Sequence, residues 1–219
     1  MNPLHNELKK EFQLERMILF SDAVFAIAIT LLAIELKVPA IITDVTEHKL
    51  AESLGEMIPK FIGFFISFMI IGKYWTVHHR LFGFVVNFNE RLLWLYLFFL
   101  LAVILMPFTS AFYSEYITDY LRTPMILYFG NICFLGIMNF LMWRYIANPK
   151  NGINEGLSKP VARYFSTRAI MVPIFFVILA IVYFISPQIA IWLPVLIPLP
   201  LWLLTRIYRK KINFAIKKN

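Results

Sequence analysis

Apolar residues in this chain come in long, nearly unbroken runs, not in strict alternation and not in narrow stripes. Windows of about 20 such residues, the length a helix needs to cross a bilayer, fall at 17–36, 58–77, 92–111, 125–144, 169–186 and 189–207. Each predicts a transmembrane helix. The sixth holds Pro194, Pro198 and Pro200, so it is expected to kink or to pack against neighbours that satisfy its freed carbonyls. Only Pro187 and Gln188 separate the fifth and sixth runs, which predicts a tight antiparallel hairpin. The expected fold is an all-α membrane protein, one six-helix domain over residues 1–219. It has an N-terminal segment at 1–16 and a basic tail at 208–219.

Composition agrees and narrows the choice. The 219 residues are 60% hydrophobic and only 16% charged, with a mean hydropathy of +0.70. Soluble domains run at about 45–50% apolar and about 25% charged. A lone cysteine, Cys133, excludes an internal disulfide framework and reads as a core thiol. The net charge of +8 suggests nucleic acid until the charges are located. Basic residues lie between the apolar runs and in the tail, which is where they orient membrane helices. Taking alternate sides of the six spans, seventeen Lys and Arg fall on the side of both termini and four on the other. The positive-inside rule then puts both termini in the cytoplasm. Trp75, Trp94 and Trp143 should mark the cytoplasmic interface and Trp192 the outer one. The first run is too long for a signal-peptide core and follows a charged stretch, so no cleavable signal is expected.

Ionisable groups inside spans point to function or to a specific partner. Asp22 is the clearest. At ~100° per residue, Ala23, Ile27, Thr30, Leu31 and Ile34 share a sector of roughly 100°, while Asp22 lies ~140° from Ile27. One reading makes Asp22 a pore-lining cation site; the other makes it an anchor to a second helix at the same depth. Its angular separation from the stripe favours the anchor, with His78, His79 and Arg80 as candidate partners and Ser21 adding an interhelical bond.

The residues also resemble a known family. Arg16-x-x-x-Phe20-Ser21-Asp22, followed by Ala23 to Leu32, is similar to the signature of the endosomal and lysosomal potassium channel family (transmembrane protein 175 type), bacterial branch. Trp75-x-x-His78-His79-Arg80-Leu81-Phe82 matches at the end of the second span. Asn89-x-x-Leu92-Leu93-Trp94-Leu95 and Pro107-Phe108-x-Ser110 match in the third, with Tyr96 standing where an asparagine is expected. Spans four to six match only in hydrophobicity and number. The resemblance implies a homotetramer of six-helix subunits around one pore lined by the first helix. Ile27 would form the narrowest hydrophobic ring, with Thr30, Leu31 and Ile34 on its outer side. Arg16, Phe20, Ser21, Asp22, Trp75, His78 and His79 would form the structural network of the motif.

Physical chemistry sharpens that picture. No TVGYG-like segment is present, so stacked carbonyls cannot select the ion, and no span has the Arg spacing of a voltage sensor. In the arrangement the resemblance implies, a ring of Ile27 side chains would gate by dewetting, and a ring of Thr30 hydroxyls would contact a partly dehydrated potassium ion with modest preference over sodium. Glu35 would raise the local cation concentration outside. Arg16 falls on the pore side and would repel cations unless an acid pairs with it. The adjacent pair His78-His79 points ~100° apart, and no ligand cluster has metal spacing. Asn131 and Asn139 read as interhelical glue, and Gly63, Gly72, Gly130 and Gly136 as points of close helix approach. No catalytic constellation, cofactor loop or nucleic-acid surface is expected; the partners are potassium ions, the bilayer and further copies of the chain. The competing function is a proton- or cation-coupled secondary transporter using Asp22. An enzyme lacks an acid–base cluster, and a passive scaffold has no need of an acid at that depth.

Overall fold

A computed structural model describes residues 10–39, 45–196 and 198–217. Lys9 and Lys218, counted above for topology, lie outside them, as do the side chains of Trp192 and of tail residues 209–217. The described residues are helical throughout apart from turns, loops and one isolated β-bridge. Five helices are long and apolar enough to cross a membrane: α1 (Lys10–Ile34), α3 (Ile58–Phe82), α4 (Glu90–Glu115), α5 (Arg122–Ile146) and α6 (Lys159–Ile185). Each of the first five apolar runs falls within or largely along one of these helices. The helices run past the apolar windows because charged and polar end residues prolong them beyond the bilayer core. α6 begins ten residues before the predicted start, with Pro160 in its first turn, where a missing N–H costs nothing.

The sixth run is not one helix. It divides into α7 (Pro187–Trp192), a 3-10 turn at Leu193–Leu196, and α8 (Pro198–Lys217). Pro194 and Pro198 each remove a backbone donor, and the helix stops and restarts around them. The chain does fold back on α6, but not through a two-residue turn: Pro187 and Gln188 open α7, and α7 with the 3-10 turn forms the connection from which α8 returns along α6. Tyr164 and Thr205 hydroxyls meet at 3.0 Å near the first turns of α6.

A short amphipathic helix, α2 (Glu47–Glu56), precedes α3 and has no buried residue. Thr46 caps it, accepting from Lys49 N at 3.3 Å. Asn89 caps α4 in the same way, accepting from Leu92 N at 3.0 Å.

α1 packs on α3 and α4, α4 on α5, and α5 on α6, so α4 is the central stave. Two glycines set closest approach. A Cβ at Gly63 would meet Ser114 Cβ at 2.8 Å, and one at Gly136 would meet the Pro173 ring at 2.6 Å. Gly72 and Gly130 face open space, so those two are not points of close approach. Asn131 joins helices as expected, its Nδ2 donating to Ala102 O at 3.0 Å beside the turn that Pro107 interrupts. Asn139 Oδ1, by contrast, is buried without a partner. Ser67 ties α3 to its neighbours, 2.6 Å from the Ser110 hydroxyl and 2.8 Å from that of Tyr128.

The two loops at the basic end are joined. Val86 N donates to Ile153 O at 2.9 Å and Glu155 N to Phe84 O at 3.1 Å, around the bridge between Val85 and Asn154. Asn89 Nδ2 also donates to Tyr145 Oη at 2.8 Å.

Candidate functional site: the first helix

α1 is apolar nearly all round, so its sequence alone does not say which side is protein. The packing does. Met17, Ser21, Phe25, Ala28 and Leu32 are buried, a set that recurs every three or four residues and faces α3 and α4. Phe25 is 1% exposed and sits 5.7 Å from the His78 ring and 6.0 Å from that of Phe99. Ala23, Ile27, Thr30, Leu31 and Ile34 are all exposed within the subunit, Ile27 at 58%. These two sets lie ~140° apart around the helix axis.

Asp22 lies between these faces, half-buried. Its Oδ1 accepts a hydrogen bond from Trp75 Nε1 on α3 at 2.9 Å. The partner is therefore not among His78, His79 and Arg80, where charge alone had pointed. A neutral indole N–H one turn earlier reaches the carboxylate first. His79 stacks on Trp75, with ring centroids 6.0 Å apart, and so braces the donor. Arg80 turns away, its guanidinium 5.5 Å from the Phe165 ring.

His78 does not face headgroups. It is buried in an aromatic cage, 4.4 Å from the ring of Phe82, 5.4 Å from Tyr96 and 5.9 Å from Phe99, with no partner for Nε2. Tyr96, at the position where asparagine was expected, makes a polar contact of its own. Its hydroxyl donates to Met17 O on α1 at 2.7 Å, fully buried. Nothing in the residue pattern pointed to that bond beyond the substitution itself. Ser21 is buried beside it, but its hydroxyl donates to Ile18 O at 2.7 Å in its own helix. Phe20 is exposed.

Thr30 Oγ1 donates to Ile27 O at 2.9 Å. That bond fixes the hydroxyl hydrogen against the helix and leaves the oxygen lone pairs on the exposed side. Arg16, on the same angular sector, lies with its guanidinium 5.9 Å from the Phe12 ring and has no carboxylate partner among the described residues. Beyond the C-terminal end of α1, Glu35 lines a cavity of about 90 Å³ shared with the ion pair of Lys60 and Glu115, whose atoms are 2.6 Å apart.

Trp75 and Trp94 are exposed within the subunit. Trp143 is not: it is fully buried and stacked 4.6 Å from the Phe165 ring.

Comparison with known proteins places this geometry. The sequence model of the family described as endosomal/lysosomal potassium channel TMEM175 matches residues 16–107, which include α1 and its aromatic neighbours. A potassium channel of Chryseobacterium sp. (strain P1-3) is 30% identical over 204 residues, covering 93% of this chain and 98% of that protein. A potassium channel of Chamaesiphon minutus is 32% identical over 148 residues, 64% of this chain and 70% of its own. The crystal structure of a lysosomal potassium-selective channel TMEM175 homolog from Chamaesiphon minutus superposes with a TM-score of 0.69. It is 25% identical and covers 94% of this chain and 98% of that one. With its long apolar helices and bacterial relatives, this is a multi-pass protein of the bacterial cell membrane. Relatives matched over two thirds or more of their own length at 30% identity or better fix the assignment: the chain belongs to the TMEM175 potassium channel family.

Proposed function

We propose that the chain is one subunit of a potassium-permeable cation channel, a homotetramer of six-span subunits with both termini in the cytoplasm and α1 around the central pore. The whole of residues 1–219 is then one channel domain, with 1–16 and 208–219 as its cytoplasmic ends. The observation that carries the reading is the exposed stripe of Ala23, Ile27, Thr30 and Ile34, set opposite the buried face by which α1 packs on α3 and α4. Four copies of that stripe make a narrow tube of small and branched side chains. Names of the relatives support potassium as the ion.

In this reading Ile27 forms the constriction, with Leu31 and Ile34 extending it outward. An isoleucine ring gates by excluding water, so conduction needs only a slight widening. Thr30 supplies four hydroxyl oxygens. These are fewer and weaker ligands than a carbonyl cage, so potassium is preferred over sodium only modestly. Arg16, Phe20, Ser21, Asp22, Trp75, His78 and His79 hold α1 at a set angle and do not touch the ion. A carrier using Asp22 is disfavoured because that carboxylate faces α3, is engaged by Trp75 and stands off the stripe.

The test is planar-bilayer recording of the purified protein with potassium on one side and sodium on the other. Discrete steps with a reversal potential favouring potassium are expected. Saturable flux in liposomes without steps would overturn the channel reading and return Asp22 to the centre.

A further inference from the structure

A second feature lies at the basic end, away from α1. Between α3, α5, α6 and α8 is a cavity of about 60 Å³ whose lining includes Lys73, Tyr74, Asn139, Trp143, Arg168 and Leu201. Two of these are cations. A third, Arg80, stands over Phe165, which also lines the cavity. Among the described residues none of the three is paired with a carboxylate; the ion pair found there, Lys60 with Glu115, is at the other end of the bundle. Arg168 Nη1 donates to Tyr164 Oη at 3.1 Å, which leaves most of its guanidinium donors open. Lys73 sits within the span of α3, where an unanswered charge is costly.

Unpartnered polar atoms also lie behind the walls. Tyr74 Oη, Asn139 Oδ1 and Trp143 Nε1 are buried and have no hydrogen-bond partner, although buried polar groups normally find one. Below the cations the crevice turns apolar. A smaller void of about 10 Å³ continues along the seam of α6 and α8, sharing Val172 and Leu201 with the first and reaching Phe175 and Pro200. Two cationic residues beside an apolar seam, inside a membrane span, match the two ends of a lipid. Basic pockets between membrane helices on the cytoplasmic side are suited to anionic headgroups.

We propose that this crevice binds an anionic phospholipid, its phosphate between Lys73 and Arg168 and the first part of an acyl chain along the α6–α8 seam. The site depends on membrane residence and not on the pore reading. It is tested on the full-length protein in mild detergent by native mass spectrometry with added phosphatidylglycerol or phosphatidylcholine. Phosphatidylglycerol should be retained in preference. Each cation near an anionic surface is worth about fivefold in affinity, so Lys73→Gln with Arg168→Gln should weaken retention about thirtyfold and leave phosphatidylcholine unchanged. Leu201→Trp, which fills the seam and spares both cations, should also lose the lipid. Lys210→Gln with Lys211→Gln should change nothing. If the double variant does not assemble, Lys73→Gln alone decides, at about fivefold. Undiminished retention in the cation variants overturns the proposal, as does an equal loss in the tail variant. Competition by millimolar inorganic phosphate together with an unaffected Leu201→Trp variant would mean a phosphate site only, and would overturn it too.

Discussion

The two faces of α1 are made of nearly the same kind of residue and have opposite fates. On one, Phe25, Ala28 and Leu32 disappear against aromatic rings and a buried tyrosine hydroxyl fixes the backbone at Met17. On the other, Ile27, Thr30 and Ile34 stay exposed in their own subunit. Hydropathy cannot separate these faces, because lipid, a neighbouring subunit and a protein core all tolerate leucine and isoleucine. What separates them is shape and stray polar atoms. The buried face has rings, a serine and a backbone acceptor, whereas the open face has branched chains and a hydroxyl turned back on its own helix.

That difference can be broken from either side. Phe25→Ala should have the largest effect on stability, about 3 kcal/mol, since it opens a hole among His78 and Phe99 that the bundle cannot refill. Thermal unfolding in detergent measures it. Trp75→Phe leaves the Asp22 carboxylate without its indole donor and should cost about 2 kcal/mol in the same assay. Tyr96→Phe removes one buried bond and should cost about 1 kcal/mol, with ion preference untouched in bilayer recordings. Ile27→Asn belongs to the open face and should shift stability by less than about 0.5 kcal/mol. Its effect should appear in conduction, because lowering a dewetting barrier by about 1.4 kcal/mol raises open occupancy tenfold. An Ile27→Asn protein that unfolds early but conducts as before would erase the distinction between the faces. Thr30→Ala is the mildest: equal stability and a reversal potential shifted toward sodium, with an unshifted potential removing Thr30 from ion selection.

How far the sequence carried can be judged element by element. Run length alone located five membrane helices, because twenty apolar residues have few other uses. It undercounted their ends, as at Lys10–Arg16 and Lys159–Arg168, since hydropathy measures the bilayer core and a helix ends where its hydrogen bonding ends. It read α7 and α8 as one kinked span: the prolines announced freed carbonyls, but whether a helix bends at them or stops and restarts depends on the packing around it. It missed α2, whose single Leu50–Leu54 spacing and Thr46 cap are too short a signal for a twenty-residue window.

At the site, the angular stripe on α1 was available from helical geometry, and the motif residues from resemblance. The partner of Asp22 was not, because a search for opposite charge overlooks a neutral donor such as Trp75. Trp143 was assigned to the interface by residue type, but its ring is covered by Phe165, a contact 22 residues away that no local pattern encodes. Glycines behave likewise: Gly136 and Gly130 read alike in sequence, and only the position of Pro173 makes the first indispensable.

The ladder between the two basic-end loops has a mechanical consequence. Because Phe84 and Val86 are tied to Ile153 and Glu155, and Asn89 to Tyr145, the ends of α3, α4, α5 and α6 are braced together as a frame. α1 takes no part in that brace. Among the described residues it meets the frame through polar bonds at Met17 and Asp22, near one end, and through the buried side chains of Phe25, Ala28 and Leu32. α1 can thus tilt against the other four helices without breaking any bond of that brace.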